Sequence, residues 1–134
     1  MANMYETSTQ IAALTTTQIG SLTAAQLAVM NTTQLSSISS TGIAQLAVTA
    51  VPGLTPGEIG SLSTTQTNVI PTTQLQAISV ATLQGLTTTQ VSNMTTTQVS
   101  NLTAAQVTGL LTTQAQALTT TQLTSLGGSL VAAL

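Results

Sequence analysis

The side chains with reactive potential in this 134-residue chain are its many hydroxyls, two carboxylates and one phenol. A serine or threonine becomes a nucleophile when a base beside it takes its proton. No such base exists, because lysine, arginine and histidine are all absent, as is cysteine. Glu6 and Glu58 are the only acids and stand in unrelated contexts, whereas general acid–base catalysis without histidine usually needs a carboxylate pair. An N-terminal threonine nucleophile is ruled out by the opening Met1-Ala2-Asn3. Zinc and iron sites need clustered Cys, His or acids, which the chain lacks. Phosphates would meet no cation, so a nucleic-acid partner is excluded on charge. Tyr5, the single aromatic residue, offers no stacking platform for a sugar. These residues predict a non-enzyme, with catalytic residues, metal and cofactor all none, and no small-molecule substrate.

What the chain has instead is a period. Leu14, Leu22, Met30, Ile38, Leu46, Leu54, Leu62, Ile70, Ile78, Leu86, Met94, Leu102, Leu110, Leu118, Leu126 and Leu134 fall on every eighth residue. A second apolar residue follows five positions later, as at Ile19, Leu27, Val91, Val99 and Val107, and lapses only at Thr67 and Ala115. Between the two lies a polar block, most often Thr-Thr-Thr-Gln, with Gln18, Gln26, Gln34, Gln66, Gln74, Gln90, Gln98, Gln106, Gln114 and Gln122 in one slot. Not one insertion or deletion interrupts the register, although individual residues drift. Fixed length with drifting identity marks a geometric step, since a disordered tract tolerates length changes. The chain reads as one octapeptide-repeat solenoid over 1–134, with 1–13 as a lead-in and 127–134 as the end repeat.

The spacing also limits the local geometry. Eight residues advance an α-helix by about 800°, which leaves a drift of roughly 80° per repeat and no lasting apolar stripe. In a continuous strand, positions one and six would face opposite sides. A break must therefore recur in every octad. Thr15 and Gln18, Thr23 and Gln26, Thr87 and Gln90, and Thr95 and Gln98 have the spacing of a capping box, in which an N-cap hydroxyl and an N3 amide exchange bonds with backbone N–H groups. Leu14 and Ile19, Leu22 and Leu27, Leu86 and Val91, Met94 and Val99, and Leu102 and Val107 then occupy the N′ and N4 positions of a hydrophobic staple. Thr55 and Glu58 follow the same frame with an acid at N3, and Pro56 falls on N1, where proline is favoured. Asn31, Ser39, Ser63 and Ser79 are good caps, whereas Ala47, Pro71 and Leu111 are not. The fold expected is all-α, a superhelix of very short helices with one per octad. A narrow β-solenoid is the alternative, because threonine favours strands over helix interiors.

Helices this short do not persist alone, since nucleation dominates below about 12 residues. Two buried anchors per octad do not offset the entropy of ordering eight residues, so the octads must stack, leucine and valine lines inward and the threonine block outward. No window of about 18 apolar residues exists to span a membrane. Ile43 to Leu54 is the most apolar stretch, and Pro52 breaks it. The N-terminus has neither the basic region nor the apolar core of a signal peptide, so an excised piece and a leaderless export route both fit. A net charge of −2 gives little repulsion between copies, which predicts self-association.

The string Leu-Thr-Thr-Thr-Gln-Val, with Ser-Asn after it at Val91-Ser92-Asn93 and Val99-Ser100-Asn101, resembles the Leu-Thr-x-x-Gln-[Ile/Val]-x-x repeats of large bacterial secreted and surface proteins of adhesin type. The resemblance covers nearly the whole chain through a motif of low complexity. It implies a bacterial, extracellular or cell-surface location and a structural role as filament, sheath subunit or adhesin stalk. Leu54-Thr55-Pro56-Gly57-Glu58-Ile59 also looks like the opening of TAL-effector repeats, but their longer repeat and base-reading loop have no counterpart, so DNA binding is not carried over. A threonine-rich face that binds ice or another ordered surface is the alternative function. Asn31-Thr32-Thr33, Asn93-Met94-Thr95 and Asn101-Leu102-Thr103 match the N-glycosylation pattern, an accident of threonine content.

Overall fold

The computed structural model describes residues 8–132 and Leu134, so Tyr5 and Glu6 lie outside the described residues. Among those described there is no strand, and the chain is a succession of very short α-helices, one per octad, with a single 3₁₀ turn. The β-solenoid alternative is set aside. Threonine's preference for strands loses to its preference for the N-cap, because the cap position itself has extended dihedral angles.

One octad shows how the break is made. Met94 (φ −60°, ψ 145°) and Thr95 (φ −70°, ψ 156°) are both extended, and helix then runs from Thr96 to Ser100. The Val99 N–H donates to the Thr95 carbonyl at 3.0 Å, and the Leu102 N–H to the Val99 carbonyl at 3.2 Å, which tightens the exit. Two extended residues per octad reset the helical phase. Met94 and Val99 can therefore both turn into the core, at 6% and 0% exposure.

The octads wind in threes, each helix packing on the one three octads further along. This sorts them onto three faces. The first holds α1 (Ser8–Ala12), α4 (Thr32–Ser36), α6 (Pro56–Gly60), α9 (Val80–Leu83), α12 (Ala104–Thr108) and α15 (Gly128–Ala132). The second holds α2 (Thr16–Gly20), α5 (Ser40–Gln45), α7 (Thr64–Asn68), α10 (Thr88–Asn93) and α13 (Thr112–Ala117). The third holds α3 (Ala24–Val29), the 3₁₀ turn Val51–Gly53, α8 (Thr72–Ala77), α11 (Thr96–Ser100) and α14 (Thr120–Leu126). The chain is an all-α solenoid whose two apolar lines merge in one continuous core.

Local departures follow from sequence. The octad from Leu46 to Gly53 has Ala47 at the cap and Pro52 near its end, so its helix shrinks to the 3₁₀ turn. A narrow apolar void of about 10 Å³, lined by Val51, Leu54, Leu62 and Ile70 among others, lies beside it. Within the lead-in, the described helix α1 already belongs to the coil, because it buries Ile11 and packs on α4. Gly127 carries the only positive φ among the described residues, 83°, and separates α14 from α15 as glycine's freedom permits.

Candidate functional site

The capping boxes position the most unusual polar groups of the molecule. At Thr95 the box is complete: the Gln98 N–H donates to Thr95 Oγ1 at 3.1 Å, and the Thr95 N–H donates to Gln98 Oε1 at 3.0 Å. The glutamine oxygen is thereby committed to its own helix. Its amide nitrogen points the other way, across the core. Gln98 Nε2 donates to the carbonyls of Thr67 at 2.9 Å and Ile70 at 3.0 Å, which lie 31 and 28 residues back in the preceding coil.

The same bridge recurs, with the 28-residue interval kept throughout and the longer one being 31 residues from Gln90, Gln106, Gln114 and Gln122 but 30 from Gln66 and Gln74. Gln90 reaches Ile59 and Leu62 at 2.9 and 2.7 Å. Gln106 reaches Leu75 and Ile78, both at 2.9 Å. Gln114 reaches Leu83 and Leu86 at 2.8 and 2.9 Å, and Gln122 reaches Val91 and Met94, both at 2.8 Å. Gln66 donates to Ser36 and Ile38, and Gln74 to Ala44 and Leu46. All seven amides are buried. Where the helices of a solenoid meet only through side chains, the carbonyls at their exits have no ladder partner. Buried carbonyls need one, and here the glutamine supplies it.

One exception meets the same demand with a different donor, and others leave it unmet. Thr82 holds the glutamine slot of α9, and its hydroxyl donates to the Leu54 carbonyl at 2.9 Å, again 28 residues back. Gly42 and Ala50 hold the slot without a polar side chain, in the degenerate middle of the array. Glu58 is 2% exposed and completes its capping box, with the Thr55 N–H donating to Oε1 at 2.9 Å. Its second oxygen is buried and has no hydrogen-bond partner. Burial pushes the carboxyl above its ordinary value of 4.5, although the Thr55 bonds pull it down.

The residues singled out above fall as follows. Ile19, Leu22, Leu27, Leu86, Val91, Met94, Val99, Leu102 and Val107 are buried, while Leu14 is only partly buried. Thr15, Thr23, Thr55, Thr87 and Thr95 are N-caps, each completing a box with Gln18, Gln26, Glu58, Gln90 and Gln98 respectively. Pro71 and Leu111 also stand at N-cap positions but provide no side-chain cap, and Ala47 heads the octad that loses its α-helix. At Leu111 half of the box survives, its N–H donating to Gln114 Oε1 at 3.0 Å. Leu111 is 44% exposed, so replacing it contributes little loss of burial. Leu111→Thr should stabilise the chain by about 1 kcal/mol through the restored hydroxyl, read as a higher urea midpoint at unchanged slope.

The outward orientation expected for the whole polar block needs correction at one residue, because the glutamine turns inward. The signal lay in the slot itself. A capping box accepts Glu as readily as Gln, yet glutamine fills eleven of these slots, Gln10 included, and Glu58 one. That bias asks for a donor, which a carboxylate cannot be.

Comparison with known proteins bears on the same frame. Residues 68–104 match the ALTTAQ repeat. That name spells Leu-Thr-Thr-Ala-Gln after its first alanine, the register of Leu86-Thr87-Thr88-Thr89-Gln90. The matched stretch contains Gln74, Gln90 and Gln98 and therefore the inward amides. Neither the curated proteins nor the solved structures compared with the chain gave a match. Among the described residues there is no cluster of His, Cys, Asp or Glu able to hold a metal, and no helix is long and apolar enough to cross a membrane.

Proposed function

We propose that this chain is a structural, self-associating repeat protein without catalytic activity, working outside the cell or at a bacterial cell surface as a filament or sheath subunit or an adhesin stalk. The observation that carries this reading is the glutamine bridge repeated from coil to coil. Each coil offers inward amides on one side and helix-exit carbonyls on the other. Further octads can therefore add by the same bonds, whether they come from the same chain or a second copy. The surface supports an axial mode over a lateral one. Two of the large exposed apolar residues, Val131 and Leu134, line one open cavity with Val107, Leu110 and Leu123 beside the last coil. Negative-stain electron microscopy at high protein concentration should show filaments with an axial repeat set by the three-octad turn. A monodisperse monomer in light scattering under the same conditions counts against the proposal.

One observation favours a second reading, in which a hydroxyl face binds ice or another ordered surface. Sorting the octads onto three faces segregates their outward residues. At the first two helical positions the second face carries Thr16-Thr17, Ser40-Thr41, Thr64-Thr65, Thr88-Thr89 and Thr112-Thr113, a hydroxyl at each, beside the exposed Leu111 and Val69. The first face has Thr32-Thr33 at the corresponding places in α4 but Pro56-Gly57, Val80-Ala81 and Ala104-Ala105 in α6, α9 and α12. Thermal hysteresis in a freezing assay would support this reading, and its absence at high concentration would end it.

A further inference from the structure

We propose that Glu58 is a neutral carboxylic acid in the folded coil, its Oε2–H standing in for a glutamine amide, so that this one octad is an acid-stabilised joint. The geometry of its neighbours carries the argument. Wherever glutamine fills this slot in α10 to α14, Oε1 accepts from the N-cap and Nε2 donates to carbonyls 28 and 31 residues back. Glu58 keeps the first half of this pattern through Thr55, and its Oε2 takes the place of Nε2. The same two intervals lead from Glu58 to the carbonyls of Met30, the C-cap of α3, and of Leu27 within α3. The registers are held together around it, because α6 packs on α4 and Ser61 Oγ lies 3.5 Å from the Thr32 carbonyl.

A carboxylate there would set negative charge against carbonyl oxygens in a chain that supplies no Lys, Arg or His to offset it. The protonated acid reverses this, since one oxygen still accepts and the other now donates. Apart from the Thr55 bonds, which act on the carboxyl through its capping box, no charged partner faces the anion. The packed helices α4 and α9 carry no ionisable side chain, and the whole chain has no Lys, Arg or His. Burial raises the carboxyl in the same direction.

The linkage follows. A group whose folded value lies above its unfolded one contributes its stability fully below the unfolded value, near 4.5. That contribution is lost as pH rises through the raised folded value. Between the two, the folding equilibrium constant falls about tenfold per pH unit for one proton. Glu58→Gln installs a permanent donor and should remove this dependence.

The experiment compares urea unfolding of the full chain and of Glu58→Gln from about pH 3.5 to pH 8, with Glu6→Gln as control. The wild type and the Glu6 control should lose stability as pH rises above the ordinary carboxyl range. Glu58→Gln should be flat and at least as stable as the wild type at neutral pH. Superimposable profiles for wild type and Glu58→Gln would overturn the proposal. Carbon NMR of the side-chain carboxyls reads the group directly, and a Glu58 carbon titrating at or below its ordinary value would overturn it equally.

Discussion

Replacing Gln98 by methionine should destabilise the chain by about 3 kcal/mol, although volume and hydrophobic character suit the core. The change removes three hydrogen bonds at once, to the Thr95 N–H and to the Thr67 and Ile70 carbonyls. The partners lost matter more than the bonds. A net hydrogen bond contributes about 1 kcal/mol, but a buried group left unpaired costs about 1–3 kcal/mol. The Thr67 carbonyl keeps a backbone donor, the Ile70 N–H at 3.2 Å, so the Ile70 carbonyl bears most of the penalty. Gln18 provides the internal control. It is exposed and makes the capping-box bonds alone, at 2.8 and 3.2 Å. Gln18→Met should cost less than about 1 kcal/mol. Urea midpoints of the two variants measure the difference. Equal losses would mean that the inward amide adds nothing beyond the cap.

Gly85→Ala should be comparably severe, at or above the upper end of the roughly 1–3 kcal/mol typical of overpacking. A Cβ on Gly85 would strike the backbone of Pro56, reaching its Cα at 2.5 Å and its carbonyl carbon at 2.6 Å. Pro56 belongs to the capped start of α6, so the obstacle is main chain and cannot rotate aside. The two coils would have to separate, and that also stretches the Thr82 bridge to Leu54. Gly60 meets the same contact from the other side, since its Cβ would come within 2.6 Å of the Gly85 carbonyl. Gly57 makes the opposite prediction one turn away. It is exposed, has nothing within 4 Å of a Cβ and sits inside α6, so Gly57→Ala should stabilise by about 0.4–1 kcal/mol. Thermal unfolding of the pair separates coil-to-coil contact from ordinary glycine entropy. Equal and small effects would remove the close approach from the account.

Much of the octad was legible because its signals are local. Thr95 and Gln98 are three residues apart, and Met94 and Val99 five, so cap and staple can be read without knowing what lies across the core. Even the failures at Pro71 and Leu111 follow from side chains that cannot accept a hydrogen bond. What was not legible depends on residues far apart in the chain. The winding in threes follows from the angle at each corner, where small dihedral differences at residues such as Thr95 and Asn101 accumulate over an octad. The inward amide of Gln98 depends on Ile70, 28 residues away, a partner that no local pattern names. The run of hydroxyl pairs along the second face likewise comes together only once the turn is known.

The claim at the centre of this account is that glutamine amides buried in the core join successive coils. Hydrogen exchange of the side-chain NH₂ groups, followed by NMR on the intact chain, addresses it most directly. The amide protons of Gln90, Gln98, Gln106, Gln114 and Gln122 should exchange slowly, on the timescale of the protected backbone, while those of exposed Gln18 exchange at once. Uniformly fast exchange of all these side chains, with the backbone still protected, would contradict it.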